Sequence, residues 1–126
     1  MRDLAENIAV LDTLDALQRT AAEYNGGEID LEDYGYPRKI LVVVSAGLFG
    51  AGASLNLDIE SGEATGVLTD EVIALDEMDA AGNQIYEYKP KYRYINIELT
   101  IADEAVDCAV VLIMEHCRFG NRGADD

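Results

Sequence analysis

Two segments of this 126-residue chain, ASLNLDIE at residues 53–60 and YINIELTI at residues 94–101, alternate apolar and polar side chains. A two-residue alternation is typical of a β-strand with one buried and one solvent-exposed face. Two other segments, ILVVV at residues 40–44 and CAVVLIM at residues 108–114, are apolar throughout and rich in β-branched residues, which favours strands over helices. These two strands are predicted to be covered on both faces, or to be buried at a contact between subunits.

Turn signals separate these strands. Glycines 47, 50 and 52 predict a loop or bulge after the first strand, and SGE at residues 61–63 ends the second. AAGN at residues 80–83 separates a weaker segment from a predicted strand at residues 84–88, and KPK at residues 89–91 leads into the next strand. Many short strands with frequent turns predict an all-β fold, an antiparallel β-sandwich.

The N-terminal segment has two competing patterns. Its large apolar residues are spaced as on a helical face, and they are Leu4, Ile8, Leu11, Leu14 and Leu17. The residues around Val10 also fit an extended segment. We therefore expect residues 1–28 to form an N-terminal arm, partly extended with a helical turn, ahead of a β-sandwich domain at 29–119 and a flexible C-terminal tail at 120–126. The alternative is that the arm folds back onto its own sandwich.

Bulk composition narrows the class of protein. The length suits one domain, and 49% hydrophobic residues is too high for a disordered chain. A formal net charge of −16 disfavours a nucleic-acid partner, because such a surface repels phosphate backbones. We find no membrane-spanning stretch and no secretory signal, so the expectation is a soluble protein made in the cytoplasm.

The two cysteines, Cys108 and Cys117, are nine residues apart. On one continuous strand they would face opposite ways and lie roughly 30 Å apart. A disulfide requires α-carbons within about 7 Å. Free thiols are therefore predicted.

Residues for catalysis or metal binding are scarce. His116 is the only histidine, and further ligands at zinc spacing are missing. The carboxylate clusters at residues 30–33 and 76–79 fall in predicted turns without the ligand order of a calcium loop, so solvated loop acids are expected. We predict that the chain is not an enzyme and has no catalytic residues, metal site or cofactor.

A cluster of tyrosines and cations stands out in this acidic chain. Its members suited to a contact surface are Tyr86, Tyr88, Lys89, Lys91, Tyr92 and Arg93, with Tyr94 adjacent. Tyrosine and arginine are favoured at the centres of protein interfaces, which makes these residues interface candidates. Packing between neighbouring strands, with the lysines solvated, explains the same cluster equally well.

Several segments together carry a resemblance to a known family. They are IDL at 29–31, ILVVV at 40–44, FGAGASLNL at 49–57, YRYI at 92–95, AVVL at 109–112 and RF at 118–119. In strand lengths, glycines and the Arg–Tyr pair, residues 29–119 resemble the capsid cement (decoration) proteins of tailed bacteriophages, in particular the Bordetella podophage type. The N-terminal segment is more leucine-rich than that pattern, and residues 67–79 are more acidic.

The resemblance implies a jelly-roll-like sandwich that assembles as a homodimer or homotrimer. It implies a place in the virion, on the outer capsid surface, after synthesis in the cytoplasm of a bacterial host. There the protein would bind the major capsid protein and stabilise the shell by bridging its subunits. The apolar residues of the arm and the tyrosine–cation cluster are the candidate contacts. Removing residues 1–20 is then expected to leave the sandwich folded and to weaken attachment.

Two other functions fit parts of the sequence. A β-sandwich binding module for carbohydrate or a host surface would use the tyrosines as an aromatic platform. An inhibitor that mimics nucleic acid would use the acidity. Glycan binding would favour the first alternative, and salt-sensitive binding to a DNA-binding protein would favour the second.

Overall fold

The computed structural model describes residues 8–115, which form two antiparallel β-sheets. A short 3-10 turn at Leu31–Tyr34 follows the third strand. The strands are β1 (Ile8–Arg19), β2 (Ala22–Asn25), β3 (Ile29–Asp30), β4 (Ile40–Phe49), β5 (Ser54–Gly62), β6 (Glu71–Ala74), β7 (Gly82–Tyr88), β8 (Tyr94–Ala102) and β9 (Val106–Glu115).

The strand order is that of a jelly roll. Sheet 1 has the order β1-β9-β4-β7, and sheet 2 has the order β2-β8-β5-β6 with the short β3 also beside β8. Every pairing is antiparallel, and the first strand lies beside the last. Apart from the short β3, each sheet has four strands, and two such sheets joined by these crossings are the architecture of double-sheet jelly rolls. The predicted all-β, jelly-roll-like sandwich is confirmed.

The core lies between the two sheets and follows the alternation seen in the sequence. Successive side chains of a strand point to opposite faces, so every second residue of β5 and β8 is buried. The central strands of sheet 1 contribute in the same way. Fully buried core residues include Ile40, Val42, Val44, Leu55, Leu57, Ile59, Ile95, Ile97, Leu99, Val110 and Leu112.

Strands β4 and β9 are central in sheet 1, but they are covered on one side only. Their inward residues alternate with outward apolar residues that stay partly exposed. Within residues 8–115 no third layer packs over sheet 1. The prediction that these strands are covered on both faces is therefore wrong within the described part of the chain, and burial at a subunit contact remains as the other prediction.

The segment assigned to an arm is paired into both sheets. Strand β1 pairs with β9 from Ile8↔Glu115 to Arg19↔Val106, and β2 pairs with β8. Leu14 is 8% exposed. The expected helical turn is wrong for residues 8–25, and the folded-back alternative is what the structure shows. The division of the chain at residue 29 stays a prediction.

Bulges explain why the leucine spacing resembles a helix. Leu11 lies opposite Leu112, Leu14 opposite Val110, and Leu17 opposite Cys108. Each three-residue step in β1 therefore faces a two-residue step in β9. An extra residue of this kind is a β-bulge, which bends the strand and changes which side chains face inward.

Cys108 is a buried free thiol, whereas Cys117 and His116 lie outside the described residues. Burial raises the pKa of the Cys108 thiol. Among residues 8–115 no helix is long and apolar enough to cross a membrane.

Candidate interaction surfaces

The outward side of sheet 1 presents a set of neighbouring apolar side chains, here called the apolar face, with one acidic residue at the end of each row. One row across the sheet runs Val10, Ile113, Leu41 and Glu87, and the next runs Asp12, Val111, Val43 and Ile85. Val10 on one edge strand is 61% exposed, and Ile85 on the other is 65% exposed. Neighbouring side chains on one face of an antiparallel sheet lie about 4.5–5.5 Å apart, so these residues form one patch. Contiguous apolar patches of this kind mark contact surfaces.

The outward side of sheet 2 is acidic, and its carboxylates form the acidic face. Asp58 lies opposite Glu98 in the β5–β8 register, and Glu23 and Glu60 lie on the flanking rows. Partial burial raises the pKa of Glu98, and the nearby negative charges of Glu60, Glu23 and Asp58 raise it further. The sandwich therefore has two chemically different sides.

The cations gather at one end of the sandwich, called the cationic end. Residues 8–115 contain six lysines and arginines. Arg19 is buried and donates to the Cys108 carbonyl at 2.9 Å. The other five lie immediately before β4 or between β7 and β8, and these are Arg38, Lys39, Lys89, Lys91 and Arg93. The pairing of Ile40 with Tyr88 brings these two segments together.

Arg93 is tied to the 3-10 turn by paired hydrogen bonds. Its Nε and Nη2 donate to the two oxygens of Asp30 at 2.9 Å each, and Nη2 also donates to Glu32. These hydrogen bonds lower the pKa of Asp30 below its usual value. The guanidinium also lies 5.0 Å from the ring centre of Tyr94. Asp30 is thus an ion-pair partner and the cap of the turn, and the expectation that it is a solvated loop acid is wrong.

We expect Arg93→Glu to lower the melting temperature by several degrees, because the new carboxylate would face Asp30 and Glu32. The matched control is Lys89→Glu, which makes the same charge change at a residue without an ion pair among residues 8–115. Thermal denaturation followed by circular dichroism measures both variants. Equal melting temperatures for Arg93→Glu and the wild type would show that Arg93 is only a solvated surface residue.

The structure separates the predicted contact residues into three groups. Leu14 and Tyr88 belong to the core, and Leu11 and Tyr86 pack partly against it. The residues Ile8, Leu17, Lys89, Lys91, Tyr92 and Arg93 keep some exposure. Leu4 lies outside the described residues. For the members that remain at the surface, a role in contacts stays a prediction.

The tyrosines do not form one aromatic platform. Tyr88 is 1% exposed, and Tyr94 lies beside the guanidinium of Arg93. Tyr92 lines a cleft of about 250 Å³ at the cationic end, together with Tyr36 and Lys91. Lys91 also pairs with Glu71 at 3.5 Å. The packing explanation for the cluster therefore holds for Tyr88 and Tyr94.

Sequence reasoning did not place the apolar face among the candidate sites. The signal was present, since residues 40–44 and 108–114 are apolar at outward as well as inward positions. Yet a strand covered by its own fold has the same pattern as a strand that contacts a partner.

Among residues 8–115 no group of three or more histidine, cysteine, aspartate or glutamate side chains is arranged to hold a metal ion.

Comparison with known proteins supports the fold. No protein-family model matches the chain, and no curated protein matches its sequence. Among solved structures, the chain is similar to the VP2 subviral particle of infectious bursal disease virus, with a TM-score of 0.62 and 12% identity over 91% of this chain. It is also similar to a structure of the Gx strain of that virus, with a TM-score of 0.61 and 10% identity over 88% of this chain.

The matched region spans about a third of each viral chain, 34% and 32% respectively. At this level of identity the likeness shows a shared fold. The chain therefore has a β-sandwich fold also found in a viral capsid protein.

Proposed function

We propose that this protein is a structural virion protein that binds the outer surface of a phage capsid. There it stabilises the shell by bridging major capsid protein subunits. The observation that carries the proposal is the apolar face. Removing apolar surface from water is worth about 25 cal/mol per Å², so a protein partner that covers this face gains free energy.

The fold supports a place in a virion. Double-sheet jelly rolls are common in viral capsid domains, and the solved structures similar to this chain come from viral particles. The resemblance of the sequence to phage cement proteins points the same way. The fold and the resemblance therefore support the proposal beside the apolar face.

The acidic face supports an orientation on the shell. Its carboxylates would repel the phosphates of a packaged genome, so they suit the outside of a DNA container. A shell protein with one acidic and one apolar side can keep the first in solvent while the second makes protein contacts.

The carbohydrate-binding alternative loses its main support, because the expected tyrosine platform is not formed.

Co-sedimentation with empty capsids of the virus that encodes the protein tests the proposal. We expect saturable binding, and we expect loaded capsids to rupture at a higher temperature than bare ones. Empty capsids of an unrelated phage serve as the control for nonspecific adsorption. Absence of binding to the cognate capsids would overturn the proposed function, and a glycan array would then be the next experiment.

A further inference from the structure

The edges of the two sheets are not protected equally. In the described part of the chain, sheet 1 ends at β1 and at β7, and sheet 2 ends at β6 and at the pair β2 and β3. Edge strands carry unpaired N–H and C=O groups, so folded proteins shield them with bulges, short lengths, prolines or lysines. Strand β1 has two register shifts, β6 has only four residues, and β2 and β3 have four and two. Each of these three edges therefore has a shield of this kind.

Strand β7 has none of these shields. Its seven residues pair with β4 from Ile40↔Tyr88 to Ala46↔Gly82 without a register shift. The strand contains no proline, lysine or arginine, and Ile85 at its centre is 65% exposed. No backbone hydrogen bond joins residues 82–88 to a described residue outside β4. Strand β7 is therefore an open and regular edge about 23 Å long.

A cleft lies beside this edge. It has a volume of about 170 Å³, and it is lined by the end of β6 and by β7, with Leu75, Asp76, Ile85 and Tyr86 among its residues. Gln84 donates to the backbone carbonyl of Asp76 at 3.1 Å, which holds the two walls together. Alternate side chains of a strand point to opposite faces. A strand added beside β7 would direct one set of side chains towards this cleft and the other set towards the apolar face.

The surroundings of the edge are acidic. Residues 70–88 contain six aspartates and glutamates and no lysine or arginine. Two of these acids are paired with lysines of the cationic end. Three others have no ion pair among residues 8–115, and these are Asp76, Glu77 and Asp79. Lysine or arginine in an added strand would therefore be attracted to this edge, and acidic residues would be repelled.

We propose that the open edge of β7 receives an extended, cationic segment of a partner protein, which adds a fifth strand to sheet 1. The backbone of the segment bonds to the free N–H and C=O groups of β7, and its cations lie near the three unpaired acids. In recognition by strand addition, the main-chain hydrogen bonds supply affinity and the pockets for alternate side chains supply specificity. On the shell the segment belongs to a capsid protein, and this setting rests on the proposed function.

A second copy of the same edge is not a suitable occupant. Pairing β7 with β7 would bring the six acids of one copy near the six acids of the other, without a lysine or arginine in either segment to offset them. Like charges placed opposite each other suppress such a partner. Charge therefore selects a different chain that carries cations.

The edge and the apolar face are adjacent, because Ile85 belongs to both. A capsid protein that covers the apolar face can extend a segment along β7 without leaving sheet 1. Two linked contacts bind more tightly than either contact alone, because the second contact forms within one complex. Strand addition also fixes the direction and register of the contact, which an apolar patch alone does not.

Synthetic peptides test the pairing and its charge. The probe is a fluorescein-labelled peptide of seven alternating lysines and valines, and fluorescence anisotropy measures its binding to the full chain. With glutamate in place of lysine, we expect binding to be at least tenfold weaker. Two further versions carry N-methyl groups, one on the valines and one on the lysines, so each blocks one edge of the probe.

The two N-methylated versions have the same charge, and we expect one of them to bind at least tenfold more weakly than the other. Only the edge of the probe that faces β7 needs its N–H groups. Equal affinities for the two versions would overturn strand pairing. A glutamate peptide that binds as well as the lysine peptide would overturn the cationic occupant.

Two pairs of variants locate the site. Asp79→Lys lies just before β7, and Asp15→Lys makes the same change at an exposed residue of β1, the far edge of sheet 1. We expect Asp79→Lys to weaken binding of the lysine peptide at least fivefold and Asp15→Lys to leave it unchanged. Equal effects would place the peptide elsewhere and overturn the proposal.

The second pair is Asn83→Pro and Gln84→Pro. Adjacent amides of a strand point to opposite sides, so one of these faces β4 and the other faces the open edge. Proline is tolerated in an edge strand where the lost N–H faces solvent. We expect circular dichroism to show one folded variant, and that variant to lose the lysine peptide. A folded variant that binds like the wild type would contradict pairing at β7.

Hydrogen exchange on capsids separates this inference from the proposed function. In the free chain we expect about half of the amides of residues 82–88 to exchange rapidly, because only alternate residues bond to β4. On empty capsids of the virus that encodes the protein, we expect these amides to exchange at least tenfold more slowly. If the chain binds capsids and this exchange is unchanged, the strand addition is wrong while the function stands. If the lysine peptide pairs with β7 and the chain binds no capsid, the edge site stands and the proposed function is wrong.

Discussion

A chain that lacks residues 1–20 is expected to be unfolded. The deletion removes all of β1, which pairs with β9 along most of that strand and supplies the buried side chains Leu14 and Arg19. Strand β9 would become an edge strand with unpaired backbone groups and apolar residues on both sides, which also favours aggregation. Domains are held by only about 5–15 kcal/mol, so the loss of this 12-residue strand, the longest of those described, removes most of that stability.

Far-ultraviolet circular dichroism and urea denaturation measure the outcome. The matched control is deletion of residues 1–7, which leaves β1 whole, and we expect it to keep a cooperative unfolding transition. A truncation to residue 21 that remained folded, with a transition close to that of the full chain, would show that β1 is a removable arm.

The strands of this jelly roll were predictable wherever one face meets water. At residues 53–60 and 94–101 the polar and apolar residues alternate, because the outward residues, such as Asp58 and Glu98, are solvated and the inward residues, such as Leu57 and Leu99, are buried. This pattern depends only on the two-residue period of a strand, so it can be recognised without knowledge of the partner strands.

The N-terminal strand was not predictable by that method. Its leucines are three residues apart, because β1 has extra residues opposite β9 at two register shifts, between Asp12 and Leu14 and between Leu14 and Leu17. A bulge is a property of a pair of strands. A search of one strand for periodicity therefore finds a helical spacing where the structure has an irregular strand.

The apolar face was hidden for a different reason. Outward residues such as Val43 and Val111 look like core residues in the sequence, and their position outside the sandwich follows from the topology alone. Among residues 8–115, no element packs over these outward residues. Their chemistry is that of a buried strand, and a second protein surface is the element that would bury them.

In the tyrosine cluster, the set of alternate β7 residues that faces inward decides which side chains lie in the core and which lie at the surface. In the segment QIYEY at residues 84–88 both Ile85 and Tyr86 are apolar, so either set of alternate residues could face inward. The pairing of Tyr88 with Ile40 and of Tyr86 with Val42 places both tyrosines on the inward side and leaves Ile85 outside. The sequence favoured the tyrosines as contacts, whereas the structure favours the isoleucine.

Tyr88→Ala is therefore expected to destabilise the fold by about 3–5 kcal/mol, the usual cost of truncating a buried aromatic side chain to alanine. The ring of Tyr88 is fully buried, and burial raises the pKa of its phenol. Its hydroxyl lies near Ser61 without a hydrogen bond of normal geometry among the described residues. Tyr88→Phe keeps the ring and removes only this hydroxyl, so we expect a change within about 1 kcal/mol.

Urea denaturation of these two variants and of Ile85→Ala separates a core residue from a contact residue. Ile85 is largely exposed, so its truncation is expected to change the free energy of unfolding by no more than about 0.5 kcal/mol. On capsids the order should be reversed, with Ile85→Ala weakening binding and Tyr88→Phe leaving it unchanged. A stable Tyr88→Ala variant that had lost association would instead place Tyr88 in the interface, as the sequence suggested. That result would contradict the inward register of β7 on which the apolar face depends.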